Sequence, residues 1–272
     1  GNGAYKVDGY PTGLADDTDP WLSNVPALAE GASLVVLWAM PPSITPSSVK
    51  EVIFPGGKFE VKKTVQLPTR PPVLDFCLVV DNSGSYADDI ATINTLAPQL
   101  WDDLKASVAD FQGCLATFVD YPFTPWGNGE NVDPFFCADY AYKLNQGLTG
   151  TKATWTAAVA AMLIECGTDT PESQYTALHQ IASGAGVDVP APGASFGDVP
   201  PGGAAAWRAG AAHVVALTTD AVFHTPGDSA CTAPAGPCPF PYPGPTAAET
   251  LTALNAQNIK VIGLKAPGAG GE

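Results

Sequence analysis

The sequence predicts an α/β protein with a doubly wound, mostly parallel sheet and helices on both faces. After Pro71-Pro72, short apolar runs alternate with segments of helical periodicity, a pattern typical of parallel sheets that are covered on both sides. Before these prolines, lysines alternate with apolar residues over 58–65. That alternation indicates a half-exposed sheet. We therefore also expect a small partial β-sandwich at the N-terminus.

Changes in composition divide the chain into three parts. Residues 1–32 are rich in Gly, Pro and Asp and are predicted to form an extended arm. Residues 33–70 should hold the partial β-sandwich, with strands at 33–40, 48–54 and 58–65, and residues 71–272 the α/β domain. Because three strands are rarely stable alone, the partial sandwich is expected to need more chain or a partner.

The elements of the α/β domain follow from their periodicity and apolar content. The predicted strands lie at 73–80, 113–119, 138–144, 211–217 and 259–264. The predicted helices lie at 87–111, 152–164, 172–182 and 246–255. Pro98 falls inside the first helix and should kink or break it.

The composition narrows the classes of function. The chain has 27 acidic and 12 basic residues in 272, a net charge of −15. Such a chain offers no basic stripe for phosphates, so nucleic acid is not an expected partner. An acidic surface suits cations, basic partners or solubility. No apolar run reaches the length of a membrane span, so none is expected in this segment.

The cysteine pattern bears on the compartment. None of the six cysteines shows C-x-x-C spacing, which argues against a zinc site built from them. Cys231 and Cys238 bracket a short loop and are expected to pair. Cys77 and Cys114 lie on apolar runs and could be buried free thiols. An even count with Pro-rich loops fits an oxidising compartment, so we expect an extracellular or cell-surface location.

Oxygen-bearing side chains cluster where the first α/β strand ends. Asp81, Ser83 and Ser85 alternate at its exit, and Asp88 and Asp89 follow. Carboxylate and hydroxyl oxygens suit a hard divalent cation. The alternative is a helix cap, with the two aspartates favoured by the helix dipole. These residues alone leave both alternatives open.

Further acidic residues decide between the two. Each ends a strand or opens a helix, so the fold places all of them on one rim of the sheet: Asp120, Asp169, Glu172 and Asp220. Carboxylates gathered this closely repel one another unless cations lie between them. The sequence therefore favours a cation site over a helix cap.

Several ordered motifs resemble the von Willebrand factor A family, and within it the I-like domain of integrin β subunits. The resemblance is ungapped from Tyr86 to Asp120 and continues in D-T-P-E at 169–172 and T-T-D-A at 218–221. Residues 44–65 resemble the start of the hybrid domain into which that I-like domain is inserted. The resemblance implies that the segment ends before the last helix of the family.

The resemblance implies a central adhesion site for Mg²⁺ (or Mn²⁺) whose open position accepts a carboxylate of a protein partner. Its direct ligands would be Ser83, Ser85 and Glu172, with Asp81 and Asp220 acting mostly through water. A flanking Ca²⁺ site would use Asp88, Asp89 and the Ser85 carbonyl.

A third site, also for Ca²⁺, would use Asp120, Asp169, Glu172 and carbonyls near Gly167 and Pro171. Gly167 stands where integrins supply an asparagine. Pairing of Cys137 with Cys166 is an alternative to the short disulfide of integrin specificity loops. His224 follows the strand that ends at Asp220 and could border the site, but it is interpreted as a loop residue.

Three functions are compatible with these residues, and no catalytic motif suggests an enzyme. The first is a cation-dependent adhesion or protein-interaction module that binds an Asp or Glu side chain of a partner. The second is a structural subunit of an extracellular assembly, braced by its cations and self-associating through the incomplete sheet. The third, an intracellular chaperone or chelatase-type A domain, is disfavoured by the Cys231–Cys238 loop and the hybrid-like strands.

Overall fold

The computed structural model describes residues 43–45, 62, 64–66, 73–123, 126–127, 138–189, 198–225 and 242–266. Two short strands come first, β1 (Ser43–Thr45) and β2 (Thr64–Gln66). The other strands are β3 (Val73–Asp81), β4 (Asp110–Phe118), β5 (Lys143–Thr149), β6 (Ala212–Thr219) and β7 (Ile259–Lys265). The helices are α1 (Ala87–Ser107), α2 (Lys152–Ala160), α3 (Gln174–Ser183) and α4 (Ala247–Ala256).

A five-stranded, mostly parallel sheet confirms the predicted fold class. Its order is β5-β4-β3-β6-β7, and only the edge strand β5 runs antiparallel to its neighbour. Since β3, β4 and β6 are parallel neighbours, their carboxyl ends meet at one edge of the sheet. Chain segments that leave this edge carry the acidic residues singled out in the sequence.

Alternate side chains of β3 enter two separate hydrophobic cores. Phe76 and Val80 pack with residues of α1 and α2 on one face. Cys77 and Val79 pack with residues of α3 and α4 on the other. Because both faces are covered, β3 is apolar almost throughout, which is why it was recognisable in the sequence.

Three elements depart most from their predicted bounds. Helix α1 runs through Pro98 without a break and ends at Ser107, because packing of its apolar face on the sheet outweighs one missing backbone hydrogen bond. Strand β5 starts at Lys143, later than predicted. Helix α2 ends at Ala160, and the chain after it contacts the exit of β3 instead of continuing the helix.

The N-terminal predictions are only partly covered by the described residues. Strands β1 and β2 pair antiparallel. The arm at 1–32, the strands expected at 33–40 and 48–54, and the loop closed by Cys231 and Cys238 lie outside the described residues. Among the helices of the described parts, none combines the length and apolar composition needed to span a bilayer.

The alternative of free thiols at Cys77 and Cys114 is wrong, because these residues form a disulfide. They occupy paired positions on β3 and β4, with Cα atoms 4.5 Å apart, and both are fully buried. Sequence alone could not show this pairing, because it depends on the register of two strands separated by a long helix. Cys166 is also disulfide-bonded. Its expected partner, Cys137, lies outside the described residues.

Candidate functional site

The carboxylate of Asp81 links the end of β3 to the end of β6 through a hydrogen bond. Asp81 is fully buried. Its Oδ2 accepts a 2.6 Å hydrogen bond from the Thr219 hydroxyl, and its Oδ1 accepts one of 2.9 Å from the Ser83 amide. Gln174 donates in turn to the Thr219 oxygen at 3.0 Å. Burial raises the pKa of Asp81 to about 6, although these hydrogen bonds act in the opposite direction.

A row of three oxygens lies beside Asp81 at the rim. Ser83 Oγ is 3.1 Å from Ser85 Oγ, which donates a 3.1 Å hydrogen bond to Asp220 Oδ1. A short 3₁₀ turn, Gly84–Tyr86, separates β3 from α1 and turns the two hydroxyls toward each other. Ser83 is buried and Ser85 is exposed, so the row leads from the protein interior to solvent.

Glu172 is the most strongly perturbed carboxylate of the site. Its side chain is 2% exposed, and its Oε2 accepts no hydrogen bond from the described residues. Burial raises the pKa of Glu172 to about 11, and neighbouring carboxylates, Asp81 first, add to the rise. Backbone hydrogen bonds of 3.0 Å with Val222 and His224 fix its position beside the chain that leaves β6. An unpaired buried carboxylate of this kind needs either a proton or a cation.

Asp120, which follows β4, contacts a histidine that the sequence interpretation had set aside. His224 Nε2 lies 2.9 Å from Asp120 Oδ2 and 3.2 Å from Asp169 Oδ2. The other oxygen of Asp120 accepts hydrogen bonds from the Tyr121 amide at 2.7 Å and the Tyr242 hydroxyl at 2.9 Å. His224 lies in a loop, as interpreted, but its side chain is 1% exposed and contacts two predicted ligands, which supports the alternative that it borders the site.

Burial and the contact between opposite charges act in opposite directions on the pKa values of Asp120 and His224. Burial raises the pKa of Asp120 to about 6, and contact with His224 limits the rise. Burial alone would lower the pKa of His224, but Asp120 and Asp169 outweigh it and raise the pKa to about 9. In the absence of a metal, the imidazole is therefore protonated at neutral pH and partly neutralises the two aspartates.

The chain segment after α2 lies along one side of the site because Asn82 forms hydrogen bonds with this segment. Asn82 donates to the Leu163 carbonyl at 2.6 Å and accepts from the Glu165 amide at 2.9 Å. The Gly84 amide then donates to the Cys166 carbonyl at 3.0 Å. A Cβ atom at Gly84 would lie 2.9 Å from that carbonyl. The close approach of the two segments therefore requires glycine.

Asp139 is a second site residue that the sequence did not reveal. It is 4% exposed, and its Oδ1 accepts 3.1 Å hydrogen bonds from the amides of Cys166 and Gly167. Gly167 has a positive φ of 69°, and a Cβ there would lie 3.0 Å from Glu172 Oε1. Asp139 thus holds the loop against Glu172. It lies at the start of the strand predicted at 138–144, neither at a strand end nor at a helix start, so no sequence signal marked it as a site residue.

The remaining predicted ligands make fewer contacts with the carboxylates described above. Asp88 and Asp89 lie in the first turn of α1, and the pKa of Asp89 is raised by burial and then by Asp88 and Asp220. Asp88 is exposed, whereas Asp89 and Pro171 are half-buried. The described contacts do not connect Pro171 to the carboxylates, so its carbonyl and that of Gly167 stay predicted ligands.

The arrangement defines a class of protein: a doubly wound α/β domain of the von Willebrand factor A type, with its polar site at the carboxyl edge of the sheet. Residues 69–186 match the family model described as the integrin beta chain VWA domain. This segment is therefore an integrin I-like domain of the von Willebrand factor A type, as the resemblance of its motifs had implied.

Curated relatives match about half of the chain. Integrin beta-6 of Rattus norvegicus and of Homo sapiens are each 27% identical to it over 148 residues, and that of Sus scrofa is 26% identical. Each match covers 51% of this chain and 19% of the integrin. The chain thus spans about a fifth of the length of these relatives.

Solved structures that match part of this chain include proximal thread matrix protein 1 from the mussel byssus, with 15% identity and a TM-score of 0.42. That match covers 70% of this chain and 37% of the other. The pilus adhesin SpaC from Lactobacillus rhamnosus GG, in its open conformation, has 17% identity and a TM-score of 0.33. It covers 54% of this chain and 14% of the adhesin.

Proposed function

We propose that this domain is a non-enzymatic adhesion or protein-interaction module. It binds an Asp or Glu side chain of a protein partner through a divalent cation of the Mg²⁺ type. The proposal places the domain outside the cell or on its surface, in keeping with the buried disulfide between Cys77 and Cys114.

The observation that carries the proposal is the row of oxygens from Ser83 through Ser85 to Asp220, beside the unpartnered Oε2 of Glu172. Hydroxyl and carboxylate oxygens suit Mg²⁺, which retains several exchangeable waters when few protein groups bind it. The residues fit such an ion, because a cation beside Glu172 would satisfy a carboxylate that no described residue neutralises. Asp81 lies behind the row, where it accepts hydrogen bonds from the Ser83 amide and from the hydroxyl of Thr219, the residue before Asp220.

The exposure of the row suggests how a partner reaches it. Ser85 is exposed, whereas Ser83 and Glu172 are buried. A ligand therefore approaches from the Ser85 side. Because the rim is acidic, a carboxylate from a partner would be repelled unless a cation lies between the two.

Exposed apolar side chains lie on segments that border the rim. Of the four large hydrophobic residues that are exposed in the described residues, Leu163, Ile164 and Val222 lie on segments that border the rim, with exposures of 71%, 38% and 58%. Val222 lies two residues after Asp220, and Asn82 binds the Leu163 carbonyl. Exposed apolar groups around a polar centre are typical of interaction surfaces. The partner is therefore expected to flank its acidic residue with apolar ones.

The proposal is tested by selecting a random displayed peptide library on the immobilised protein, once in Mg²⁺ and once in EDTA. Peptides selected in Mg²⁺ should contain Asp or Glu and lose binding when this residue becomes Asn or Gln. Ser85→Ala should weaken binding at least about tenfold, by analogy with losing a contact that supports a metal site. Ser107→Ala is the matched control, because Ser107 lies at the far end of α1 and bonds only within that helix.

Selection of the same peptides in EDTA, or equal binding by the Ser85 variant, would contradict the proposal. The structural-subunit alternative predicts a third pattern. Chelation would then lower thermal stability, while no acidic peptide would be enriched in Mg²⁺.

A further inference from the structure

Exposed lysines lie toward both lateral ends of the acidic rim. Strand β5 runs antiparallel to β4, so its first residue, Lys143, lies at the carboxyl edge of the sheet and pairs with Thr117. Strand β7 runs parallel to β6, so its last residue, Lys265, lies at the same edge and pairs with Thr219. Both side chains are exposed, and neither forms an ion pair with a carboxylate of the described residues. An acidic group of a partner can therefore reach either of them.

Of the two lysines, Lys143 lies against a fixed aromatic ring. Its Nζ is 5.6 Å from the centre of the Tyr140 ring, a distance at which the face of the ring attracts a cation. The Tyr140 hydroxyl lies 2.7 Å from Thr117 Oγ1 and accepts a 3.2 Å hydrogen bond from Asn82 Nδ2. Because Thr117 belongs to β4 and Asn82 follows β3, two strand ends hold this ring. The contacts of the described residues give the Lys265 side chain no comparable support.

An exposed leucine borders the same surface. Asn82 Nδ2 also donates to the Leu163 carbonyl at 2.6 Å, so the backbone of Leu163 is fixed although the residue is 71% exposed. Lys143, Tyr140 and Leu163 are here called the Lys143 patch. Since Asn82 directly precedes Ser83, the patch adjoins the row of oxygens at the rim. Fixed aromatic, apolar and charged groups beside one another are typical of a protein interaction surface.

We propose that the Lys143 patch binds a second acidic side chain of the same partner segment whose first acidic side chain reaches the adhesion site. This inference rests on the proposed function. The rim is rich in carboxylates, so a second acid would be repelled over most of it. Lys143 supplies an unpaired positive charge where the ring and the exposed leucine also offer apolar contact. The partner is therefore a doubly acidic segment, not one with a single acid.

The register of the sheet sets the spacing of the two acids. Thr117 pairs with Lys143 on one side and with Val80 on the other. Lys143 is therefore level with the end of β3 and two strand spacings, about 9.6 Å, away from it. An extended peptide advances about 3.3 Å per residue. The second acid should therefore lie three or four residues from the first.

An exposed lysine at the border of a site acts mainly when the partner approaches. Border charges change the association rate and its salt dependence more than the dissociation rate. On an acidic rim, a lysine marks the side from which an acidic segment is attracted. We therefore expect Lys143 to set the orientation of the partner and the rate at which it binds.

The test uses the acidic peptides that are selected on the immobilised protein in Mg²⁺. These peptides should carry a second Asp or Glu three or four residues from the first. Lys143→Met should lower the association rate of such a peptide at least about threefold at low ionic strength. The difference should disappear in about 1 M salt, where charges are screened beyond about 3 Å. Lys265→Met is the matched control, because it removes the same charge from the other side of the same edge.

A charge exchange separates a direct contact from a general effect of net charge. Lys143→Glu should bind the selected peptide more weakly than the wild type does. It should regain binding when the second acid of the peptide is replaced by Lys, because the two charges are then opposite again. Lys265→Glu should not respond in this way. All four substitutions are at exposed positions, so a folding defect is not expected.

Several results would overturn the inference. One is a set of selected peptides in which second acids are no more frequent than in the unselected library. Another is an equal association rate for the wild type and Lys143→Met, and a third is regained binding by Lys265→Glu instead of Lys143→Glu. If the peptides still require Mg²⁺ and their first acid, any of these results removes the Lys143 patch and leaves the adhesion site standing. Failure to select any acidic peptide in Mg²⁺ overturns both proposals.

Discussion

The substitution Glu172→Gln removes one buried charge while it preserves the size and shape of the side chain. In the metal-free protein, burial raises the pKa of Glu172 to about 11, so the group is an uncharged acid at neutral pH. Glutamine is a close neutral replacement for that acid. We therefore expect the free energy of unfolding without metal to differ by less than about 1 kcal/mol near pH 4, where the acid is protonated in both the folded and the unfolded chain.

Adding the cation should stabilise the wild type more than Glu172→Gln. At 100 times its dissociation constant, a bound ion stabilises the wild type by about 2.7 kcal/mol. This corresponds to an increase in Tm of about 5–11 °C for a domain of this size. If the loss of Glu172 weakens binding at least tenfold, the stabilisation falls to about 1.4 kcal/mol or less.

The pH dependence of the free energy of unfolding supplies an independent comparison of the wild type with Glu172→Gln. A carboxyl whose pKa is raised on folding stabilises the protein fully below its unfolded pKa, near 4.5, and loses that contribution as the pH rises toward about 11. Metal-free wild type should therefore lose up to about 1.4 kcal/mol per pH unit relative to Glu172→Gln between pH 6 and pH 8.

Thermal unfolding of both proteins in EDTA and in Mg²⁺, at several pH values, checks these expectations. Asp188→Asn is the control, because Asp188 is an exposed carboxylate outside the site. The reasoning is refuted if Glu172→Gln gains as much Tm from Mg²⁺ as the wild type. It is also refuted if the metal-free variant is several kcal/mol less stable at neutral pH.

Two further predictions concern stability away from the rim. Replacing Cys77 and Cys114 together by alanine should lower the free energy of unfolding by about 4 kcal/mol, the entropic value for a disulfide between residues separated by 37 positions. Urea denaturation measures this loss of stability. A loss under about 1 kcal/mol would contradict the entropic explanation. Arg208→Ala should cost about 3–5 kcal/mol, because it leaves the fully buried Asp75 without the guanidinium 2.6 Å away. Asp110→Asn, which removes only the exposed partner of Arg208, should cost less than about 1 kcal/mol in the same assay; equal losses would contradict this reasoning.

Much of the fold could be predicted because its signals are local. Strand β3 is a continuous apolar run, and α4 opens with a capping box between Thr246 and Glu249. Errors arose where tertiary contacts overrode local preference. Helix α1 continues through Pro98 because its apolar face packs on the sheet. Helix α2 stops early, and Asn82 binds the chain that follows it.

Some residues of the candidate site could likewise be recognised from local sequence, whereas others depend on tertiary contacts. Asp81, Ser83 and Ser85 were recognisable because they are adjacent in sequence, and Asp220 because it ends a strand. The roles of His224 and Asp139 were not recognisable. Their contacts join segments that are far apart in sequence, and no spacing rule relates them.

The sequence by itself determined the α/β class, the order of most elements and the edge of the sheet at which the carboxylates meet. It could do so because hydrophobic periodicity is a local property, and parallel strands align their carboxyl ends. Only the tertiary structure decided that Cys77 pairs with Cys114, that Thr219 bonds to Asp81, and that His224 lies between two aspartates. Those contacts depend on the register of β3 with β4 and β6, and register is set by the packing of the whole sheet.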